Sequence, residues 1–237
     1  MQLMDILEIK GRIIVKTGLR IGAGDTEMRI GGVDNPIIKH PHTLEPYIPG
    51  SSLKGKVRSL LEMKSGLMGK TRGEPVAFKH LAGLDDTKKL EAKKILKLFG
   101  AGGAEGEAIA DIGPTRVSFA DCPLDEAWRQ KALDQGLSFT EVKSENAINR
   151  IEGVARNPRQ TERVPANAEF SFTVTLKKLD IDQENDLEQF LIEGLKLLTL
   201  DALGGSGSRG YGRLEFRFDD PEITARFEAM QPFAREG

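Results

Sequence analysis

Residues 168–218 read AEFSFTVTLKKLDIDQENDLEQFLIEGLKLLTLDALGGSGSRGYGRLEFRF and predict a strand, a helix, a glycine-rich loop and a second strand. In the first strand apolar and polar side chains alternate, which is typical of a half-buried strand. Its apolar positions are Phe170, Phe172, Val174 and Leu176. The helix has an apolar stripe formed by Leu187, Phe190, Leu191, Leu195, Leu198 and Ala202. The last strand has Leu214, Phe216 and Phe218 on one face.

The N-terminal half predicts a matching set of elements. Residues 6–16 alternate like a half-buried strand, and residues 49–66 (PGSSLKGKVRSLLEMKSG) predict a helix capped by Ser51 or Ser52. Its apolar stripe is Leu53, Val57, Leu60 and Leu61. TRVSFADC predicts a short strand with Val117 and Phe119 inward. The order strand, helix, strand, strand, helix, strand is the ferredoxin-like pattern, so we predict an α+β fold with a βαββαβ palm.

Two insertions interrupt this palm, and we treat residues 1–237 as a single domain that carries them. Residues 62–114 contain a second helix, capped by Asp85 or Asp86 and stopped by Gly100. Its apolar stripe is Ala92, Ile95, Leu96 and Phe99. Residues 128–165 are polar, mixed in charge and poorly periodic. An insertion of that length is normally functional.

The amino-acid composition excludes several classes of protein. The net charge of -2 and the pI near 6.0 argue against a general nucleic-acid coat. The single cysteine, Cys122, excludes a disulfide framework and a multi-cysteine zinc site. We see no secretion signal and no apolar run near the roughly 20 residues that cross a bilayer. We therefore expect a cytoplasmic protein.

Charge is unevenly distributed along the chain. Residues 51–97 contain twelve Lys or Arg against five Asp or Glu, and residues 180–193 contain six acids with no neighbouring Lys or Arg. This segregation favours one basic and one acidic face on the folded protein. The alternative, two solvated helix faces of opposite sign, has equal weight on this pattern alone.

The glycine-rich loop begins at Gly204 and has five glycines in its first ten residues. One glycine suffices for a left-handed helix cap, so the other four glycines need another explanation. Successive backbone N–H groups without side chains can face an anion, and the forked guanidinium of Arg209 matches phosphate. Phosphate contact and a mobile turn both fit this spacing.

Other candidate motifs are weaker. SGLMGKT resembles the end of a phosphate-binding loop, but Lys64 replaces the required glycine and the loop follows a helix. RGYGRLEF has Arg213 where an RNA-recognition consensus needs an aromatic residue. The histidines have no ligands at metal spacing, so we expect His40, His42 and His80 in exposed loops.

Asp34 lies in RIGGVDNPII, a stretch that is otherwise short of charge. Asp-Asn-Pro after two glycines is also ordinary turn chemistry, and the residues alone favour the turn.

Six motifs, taken together, resemble a known family. They are TGLRIGAG (17–24), GGVDNPII (31–38), YIPGSSLKGKVRSLLE (47–62), ILKLFG (95–100), SENAINRIEGVARNPRQTERVP (144–165) and LGGSGSRGYG (203–212). Their order and content resemble the RAMP superfamily of CRISPR proteins and, within it, the Cas-seven-type backbone subunits of type III-A Csm complexes. The glycine loop is common to many RAMP proteins, whereas GGVDNP joined to the SENAINR block is more specific.

The resemblance implies a fold and an activity. The fold is an RRM-like palm with a β-hairpin thumb, which we place within 128–165. Copies stack head to tail along a guide RNA and, with other Csm subunits, cleave complementary target RNA at regular intervals. Asp34 becomes the catalytic residue and the ligand of a divalent metal, for which we expect Mg²⁺. Whether Asp34 binds the metal or takes a proton stays open, and we favour the metal role.

The resemblance also implies RNA-binding residues, with guide RNA and target RNA as partners. They are Arg20, Ser51, Ser52, Lys54, Arg58, Lys143, Asn146, Arg150, Arg156, Gly204, Gly205, Gly207, Ser208 and Arg209. Arg20 stands where many relatives have histidine, and an arginine contacts phosphate but carries protons poorly. The alternative function is a structural RAMP subunit that binds guide RNA and does not cut.

Overall fold

The palm is a four-stranded antiparallel sheet, described here in a computed structural model for residues 1–24, 34–100, 112–182 and 187–233. The strands in these ranges are β1 (Leu3–Val15), β2 (Val117–Phe119), β3 (Glu141–Ile148), β4 (Ala155–Arg163), β5 (Glu169–Leu179) and β6 (Leu214–Phe218). The α-helices in the same ranges are α1 (Gly50–Lys64), α2 (Asp86–Phe99), α3 (Glu126–Asp134), α4 (Leu187–Leu200) and α5 (Pro221–Ala229).

The order of strands in the sheet is β2, β5, β1, β6, which is the ferredoxin-like order. The two central strands, β5 and β1, contribute buried side chains to the hydrophobic core. Ile13 of β1 lies opposite Phe170 of β5 on one side and Phe216 of β6 on the other. The alternating residues predicted for β5 are buried, because every second side chain of a strand points to the same face. The predicted α+β fold is confirmed.

Helices α1 and α4 cover one face of the sheet and pack against each other. All four residues of the predicted α1 stripe are buried. The predicted cap is wrong: Pro49 is the N-cap residue, without a side-chain cap bond, and Ser51 and Ser52 lie in the first turn. The Gly50 N–H donates instead to Asp121 at 2.8 Å, so this end of α1 is fixed to the segment after β2. No helix within the described ranges is long and apolar enough to span a bilayer.

The first insertion packs into the same core as the palm. Asp85 caps α2 by accepting the Lys88 N–H, as predicted, and the helix stops at Gly100. The predicted stripe of α2 is buried in the hydrophobic cluster that includes the palm residues. The predicted boundary at residue 62 falls inside α1, which continues to Lys64.

Within residues 128–165 the structure contains a β-hairpin formed by β3 and β4, a two-stranded sheet of its own. Two helices were not predicted. Helix α3 is capped by Asp125, and the C-terminal helix α5 is capped by Asp220 with Pro221 in its first turn. Phe227 of α5 packs edge-on against Phe218, with ring centroids 4.9 Å apart, and so closes the outer edge of the core.

The predicted acidic face is wrong for the members of residues 180–193 that the structure describes. Asp182 pairs with Arg116 at 2.8 Å and with Lys97 at 3.1 Å. Glu188 pairs with Lys178 and Arg226, Glu193 with Lys64, and Asp180 with the N-terminus. Two of these cations, Lys64 and Lys97, come from the basic segment 51–97. The two segments therefore partly neutralise each other inside the fold, and Glu184 and Asp186 lie outside the described residues.

Two glycines on the facing helices provide a test of this packing. A Cβ on Gly194 of α4 would lie 2.7 Å from the Val57 Cγ1, whereas a Cβ on Gly55 of α1 would meet nothing within 4 Å. We expect Gly194→Ala to lower the free energy of unfolding by about 1–2 kcal/mol because it overpacks the helix contact. Gly55→Ala should raise it by about 0.5–1 kcal/mol, since alanine favours the helix. Urea unfolding of both variants measures this, and equal stabilities would contradict the packing.

The Asp182 network predicts a pH dependence of stability. Burial opposes ionisation of Asp182, but hydrogen bonds from Arg116 and Lys97 outweigh it and lower the pKa of the carboxyl. A folded-state pKa below the unfolded value means that the stabilisation is complete above about pH 4–5 and disappears as pH falls through the folded pKa.

We expect Asp182→Asn to lower the free energy of unfolding by about 3 kcal/mol at pH 7, because Arg116 stays buried without its counter-charge. The difference from the unmodified chain should shrink as pH falls below about 4. Asp180→Asn, two residues away and more exposed, is the matched control and should change little. A pH-independent difference for Asp182→Asn, measured by urea unfolding, would show that the carboxylate charge is not the cause.

Candidate RNA interface and cleavage loop

Most of the predicted site residues gather at one end of the palm, where β1 ends. Helix α1 runs antiparallel to β1 and α4 runs parallel to it, so α1 begins and α4 finishes at this end. Val15 at the end of β1 pairs with Leu214 at the start of β6, and the Val15 N–H donates to the Ala168 carbonyl before β5. Lys56 pairs with Asp201 at 2.6 Å and joins the first half of α1 to the end of α4. The topology therefore places the first turns of α1 beside the start of the glycine loop.

Two glycines of the loop are required by contacts with the protein's own backbone. Gly204 has a φ of 76°, and a Cβ there would lie 2.2 Å from the Arg20 carbonyl oxygen. Gly212 has a φ of 72°, and its Cβ would lie 2.0 Å from the Leu203 carbonyl oxygen. The Gly205 N–H donates to the same Arg20 carbonyl at 2.8 Å. Gly204 therefore lets the loop pack onto Arg20, and Gly212 lets the two ends of the loop pack against each other, which accounts for both glycines without RNA.

The tip of the loop is different, because it is exposed. Residues 207–209 form one short 3-10 turn, and Gly207, Ser208 and Arg209 all face solvent. A Cβ on Gly210 would meet nothing within 4 Å, so its φ of 84° reflects the turn alone. This tip is the part of the loop that is open to a ligand.

The loop is also tied to the base of the hairpin through Glu145. Tyr211 is buried, and its hydroxyl donates to the Glu145 carboxylate at 2.9 Å. Arg209 lies 3.2 Å from the same carboxylate, and Lys143 lies 3.5 Å from it. The Tyr211 hydrogen bond, followed by the charges of Arg209 and Lys143, lowers the pKa of Glu145. An RNA phosphate at this position has to compete with Glu145 for both cations.

Asp34 is exposed and fixed against β4 of the hairpin. Its Oδ2 accepts the Gln160 N–H at 2.9 Å. The Asn35 carbonyl accepts the Glu162 N–H at 3.1 Å, and Asn35 forms a parallel bridge with Thr161. The predicted catalytic residue therefore sits where the hairpin joins the palm. Gly31 and Gly32 of the same motif lie outside the described residues.

Arg20 connects the glycine loop with the Asp34 segment. Its carbonyl accepts from Gly205, and its Nη2 donates to the Asn35 Oδ1 at 3.2 Å. Its Nε is buried and has no acceptor among the described residues. Arg20, Gly205 and Asp34 are thus brought together, as the predicted site requires.

The two cations predicted on α1 have different environments. Burial, and then the neighbouring charge of Arg58, lower the pKa of Lys54, which has no acidic partner in the described part of the chain. Arg58 donates to Glu62 at 2.8 Å, to the Gly100 carbonyl at 3.0 Å and to the Val76 carbonyl at 2.6 Å. We therefore assign Arg58 to the attachment of the first insertion and keep Lys54, with Ser51 and Ser52, as the α1 candidates.

The remaining predicted residues lie out along the hairpin and away from Asp34. Asn146, Arg150 and Arg156 belong to its exposed part, and Arg156 pairs with Glu152 there. Four residues that join the hairpin to the palm were not predicted from the sequence: Glu145, Gln160, Glu162 and Tyr211. The sequence did contain an indication for Tyr211. A large aromatic side chain between two glycines is expected to be buried against another part of the protein.

The described residues contain no cluster of three or more His, Cys, Asp or Glu side chains that is suited to a metal ion. His40 and His42 are exposed, as predicted, whereas His80 is partly buried and accepts the Ala77 N–H at 3.0 Å.

The chain is similar in sequence to known proteins over most of its length. The sequence profile described as "RAMPs: RAMP superfamily" matches residues 12–215. The chain is 39% identical over 222 residues to the CRISPR system Cms endoribonuclease Csm3 of Methanothermobacter thermautotrophicus, covering 88% of this chain and 82% of that protein. It is 40% identical over 212 residues to the Csm3 of Streptococcus thermophilus, covering 89% and 86% respectively.

Solved structures show the same likeness. A Csm3–Csm4 subcomplex of the type III-A CRISPR-Cas interference complex matches with a TM-score of 0.54 and 29% identity, over 92% of this chain and 78% of that one. The crystal structure of Methanopyrus kandleri Csm3 matches with a TM-score of 0.55 and 25% identity, over 90% and 75%. The profile match and the relatives both extend over most of the sequence, and the chain therefore belongs to the RAMP superfamily.

Proposed function

We propose that this chain is the backbone subunit of a type III-A CRISPR effector complex and cleaves target RNA. In the proposal it binds guide RNA, stacks head to tail with copies of itself and with other Csm subunits, and cuts complementary target RNA at regular intervals. The observation that carries the cleavage function is the exposed Asp34 carboxylate, fixed to the base of the hairpin beside the glycine loop. Relatives named endoribonuclease Csm3, 36–40% identical, support the same activity.

Guide binding is assigned to phosphate contacts at the end of the palm. Lys54 contributes an uncompensated cation next to the first turn of α1, where the helix dipole also favours an anion. The exposed tip of the glycine loop adds the Arg209 guanidinium and backbone that no side chain shields. Such contacts position RNA without selecting bases, as a subunit that accepts any guide requires.

The hairpin is assigned the role of a thumb that displaces nucleotides at intervals. It is exposed along most of both strands, and it carries cations as well as apolar residues. Its exposed apolar side chains near the turn are Ile148, Ile151 and Val154. Apolar side chains that enter a base stack can unstack a step, and nearby cations neutralise the backbone that bends there.

In the proposed reaction the target RNA supplies its own nucleophile. The 2′-hydroxyl of a displaced nucleotide loses its proton, to Asp34 or to water, and its oxygen attacks the adjacent phosphorus. The bond from phosphorus to the 5′-oxygen breaks, and that oxygen takes a proton from water, which gives a 2′,3′-cyclic phosphate and a 5′-hydroxyl. The chain's contribution is to hold the strand in line for this attack and to place the Asp34 carboxylate beside it. Either the carboxylate accepts the 2′-hydroxyl proton or it binds a divalent cation.

We favour the cation, with Mg²⁺ as the expected ion, because a solvent-exposed aspartate is a weak base at neutral pH. Asp34 and RNA phosphate oxygens would hold it, and it would neutralise charge on the phosphorane. One Asp34 oxygen accepts from Gln160, which leaves the other for this role.

Lys54→Ala is expected to weaken binding of unrelated guide RNAs to a similar degree. The slope of log affinity against log salt should become shallower by about 0.7, because one phosphate contact of a single strand is lost. Fluorescence anisotropy at several salt concentrations measures both. Lys93→Ala removes another exposed cation, on α2, and should leave the slope unchanged. A change in base preference with an unchanged slope would contradict a phosphate contact at Lys54.

Asp34→Ala is expected to slow target cleavage at least about 100-fold in the assembled complex, with guide and target affinities nearly unchanged. Asp34→Asn keeps an acceptor for the Gln160 N–H and should be equally slow, because the charge is lost. Cleavage should also stop with a chelator and with a 2′-deoxy nucleotide at the cut site. Gel assays with labelled target measure these rates.

The exposed Asp86→Ala on α2 is the control and should cut normally. Normal cutting by Asp34→Ala would remove Asp34 from the reaction. A wild-type complex that binds both RNAs and leaves the target intact would favour the alternative, a non-cleaving structural subunit.

A further inference from the structure

Glu162 is a buried carboxylate that the cleavage chemistry above does not use. It lies on β4 and is 7% exposed. Its Oε2 accepts the Ile37 N–H at 3.1 Å, and its Oε1 accepts from the Lys39 Nζ at 2.5 Å. Its own N–H donates to the Asn35 carbonyl at 3.1 Å. One residue of the hairpin therefore contacts three residues that directly follow Asp34.

The three contacts share one edge of an extended segment. Asn35, Ile37 and Lys39 alternate, and alternate residues of extended backbone present their groups on the same side. The opposite side is occupied by residues 21–23, since the Ile38 N–H donates to the Ile21 carbonyl at 2.9 Å. The segment that carries Asp34 is thus held between the palm and the hairpin, and on the hairpin side the Glu162 carboxylate accepts hydrogen bonds from Ile37 and Lys39.

The contact depends on the charge of Glu162. Burial opposes ionisation of its carboxyl, but hydrogen bonds from Lys39 and from the Ile37 N–H outweigh burial and lower its pKa. At neutral pH the group is a carboxylate that is almost fully removed from water. If Lys39 moves away, the buried Glu162 charge is unpaired, and if Glu162 moves away, the buried Ile37 N–H has no acceptor. Both changes cost free energy, so residues 37 and 39 are held in one arrangement against Glu162.

We infer that Glu162 is a positioning residue for target cleavage, which couples the thumb hairpin to Asp34 by fixing residues 35–39 against β4. This inference rests on the proposed cleavage function. When RNA bends the hairpin, β4 and the Asp34 segment move together, so the carboxylate stays aligned with the nucleotide that the hairpin displaces. An error of about 1 Å in such an alignment can reduce a rate about 100-fold.

The test is single-turnover cleavage by the assembled complex with guide RNA and labelled target. Glu162→Gln keeps an oxygen for the Ile37 N–H and removes the charge that binds Lys39. We expect its cleavage rate to fall about 10-fold or more, while guide and target affinities stay within about twofold. Lys39→Met removes the cation of the same ion pair. It should also lower the cleavage rate and leave the guide and target affinities nearly unchanged. It also provides the measurement if Glu162→Gln does not fold.

Glu141→Gln is the matched control. It removes a carboxylate from the other strand of the hairpin, where Glu141 pairs with Arg163 and has no contact with residues 34–39. Its cleavage rate should equal that of the unmodified complex. Thermal unfolding of each purified variant reports any general loss of stability.

The outcomes separate the inference from the function on which it rests. If Asp34→Ala stops cleavage but Glu162→Gln and Lys39→Met cut at the normal rate, the positioning role is wrong and the proposed function stands. If affinity and rate fall together in both variants, Glu162 is only part of the folded structure and the inference is again overturned. If the unmodified complex does not cut, the proposed function itself fails.

Discussion

The candidate site depends on backbone contacts made by residues 18–21, directly after β1. Leu19 exchanges hydrogen bonds with Val164 at 2.8 and 2.9 Å, which attaches the end of β4 to the palm. Gly18 and Arg20 accept the N–H groups of Gly212 and Gly205, which attach the glycine loop. A few residues thus join the palm, the hairpin and the loop. Gly204 is required because a Cβ there would meet the Arg20 carbonyl oxygen, and Gly212 because a Cβ there would meet the carbonyl oxygen of Leu203 at the start of the loop.

Charge in this protein is mostly arranged for internal pairing and only locally for binding. The basic segment 51–97 and the acidic segment 180–193 partly neutralise each other through Lys64 and Lys97, and Glu188 pairs with Lys178 and Arg226. Against this background Lys54 is unusual, since it is half-buried and has no acidic partner in the part of the chain that the structure describes. Arg209 is intermediate: it is exposed, yet it shares Glu145 with Lys143. A chain with net charge -2 can still present a few cations to one RNA backbone.

The segment that carries Asp34 and the hairpin are joined by hydrogen bonds in the structure. Gln160 donates to the Asp34 carboxylate, and Glu162 holds the residues that follow it. In the proposed function RNA is cut at regular intervals, where the hairpin displaces a nucleotide. The attachment of Asp34 to β4 of that hairpin then places the carboxylate beside each displaced nucleotide. The family resemblance made Asp34 a candidate catalytic residue and placed a hairpin within residues 128–165. It did not indicate that β4 holds Asp34 in place.

The sequence by itself determined the palm elements of β5, α1, α4 and β6, because burial of one face imposes a period of two or 3.6 residues that is visible locally. Motif order also identified the family, and the resemblance made Asp34 the candidate for cleavage. Only the tertiary structure decided the partners of Arg58 and Asp182, the contacts of Tyr211 and the attachment of Asp34 to β4. These contacts join residues far apart in the chain, such as Asp34 and Gln160, which are separated by 126 positions. Local periodicity contains no information on which distant donor meets which acceptor, and that choice is made by packing alone.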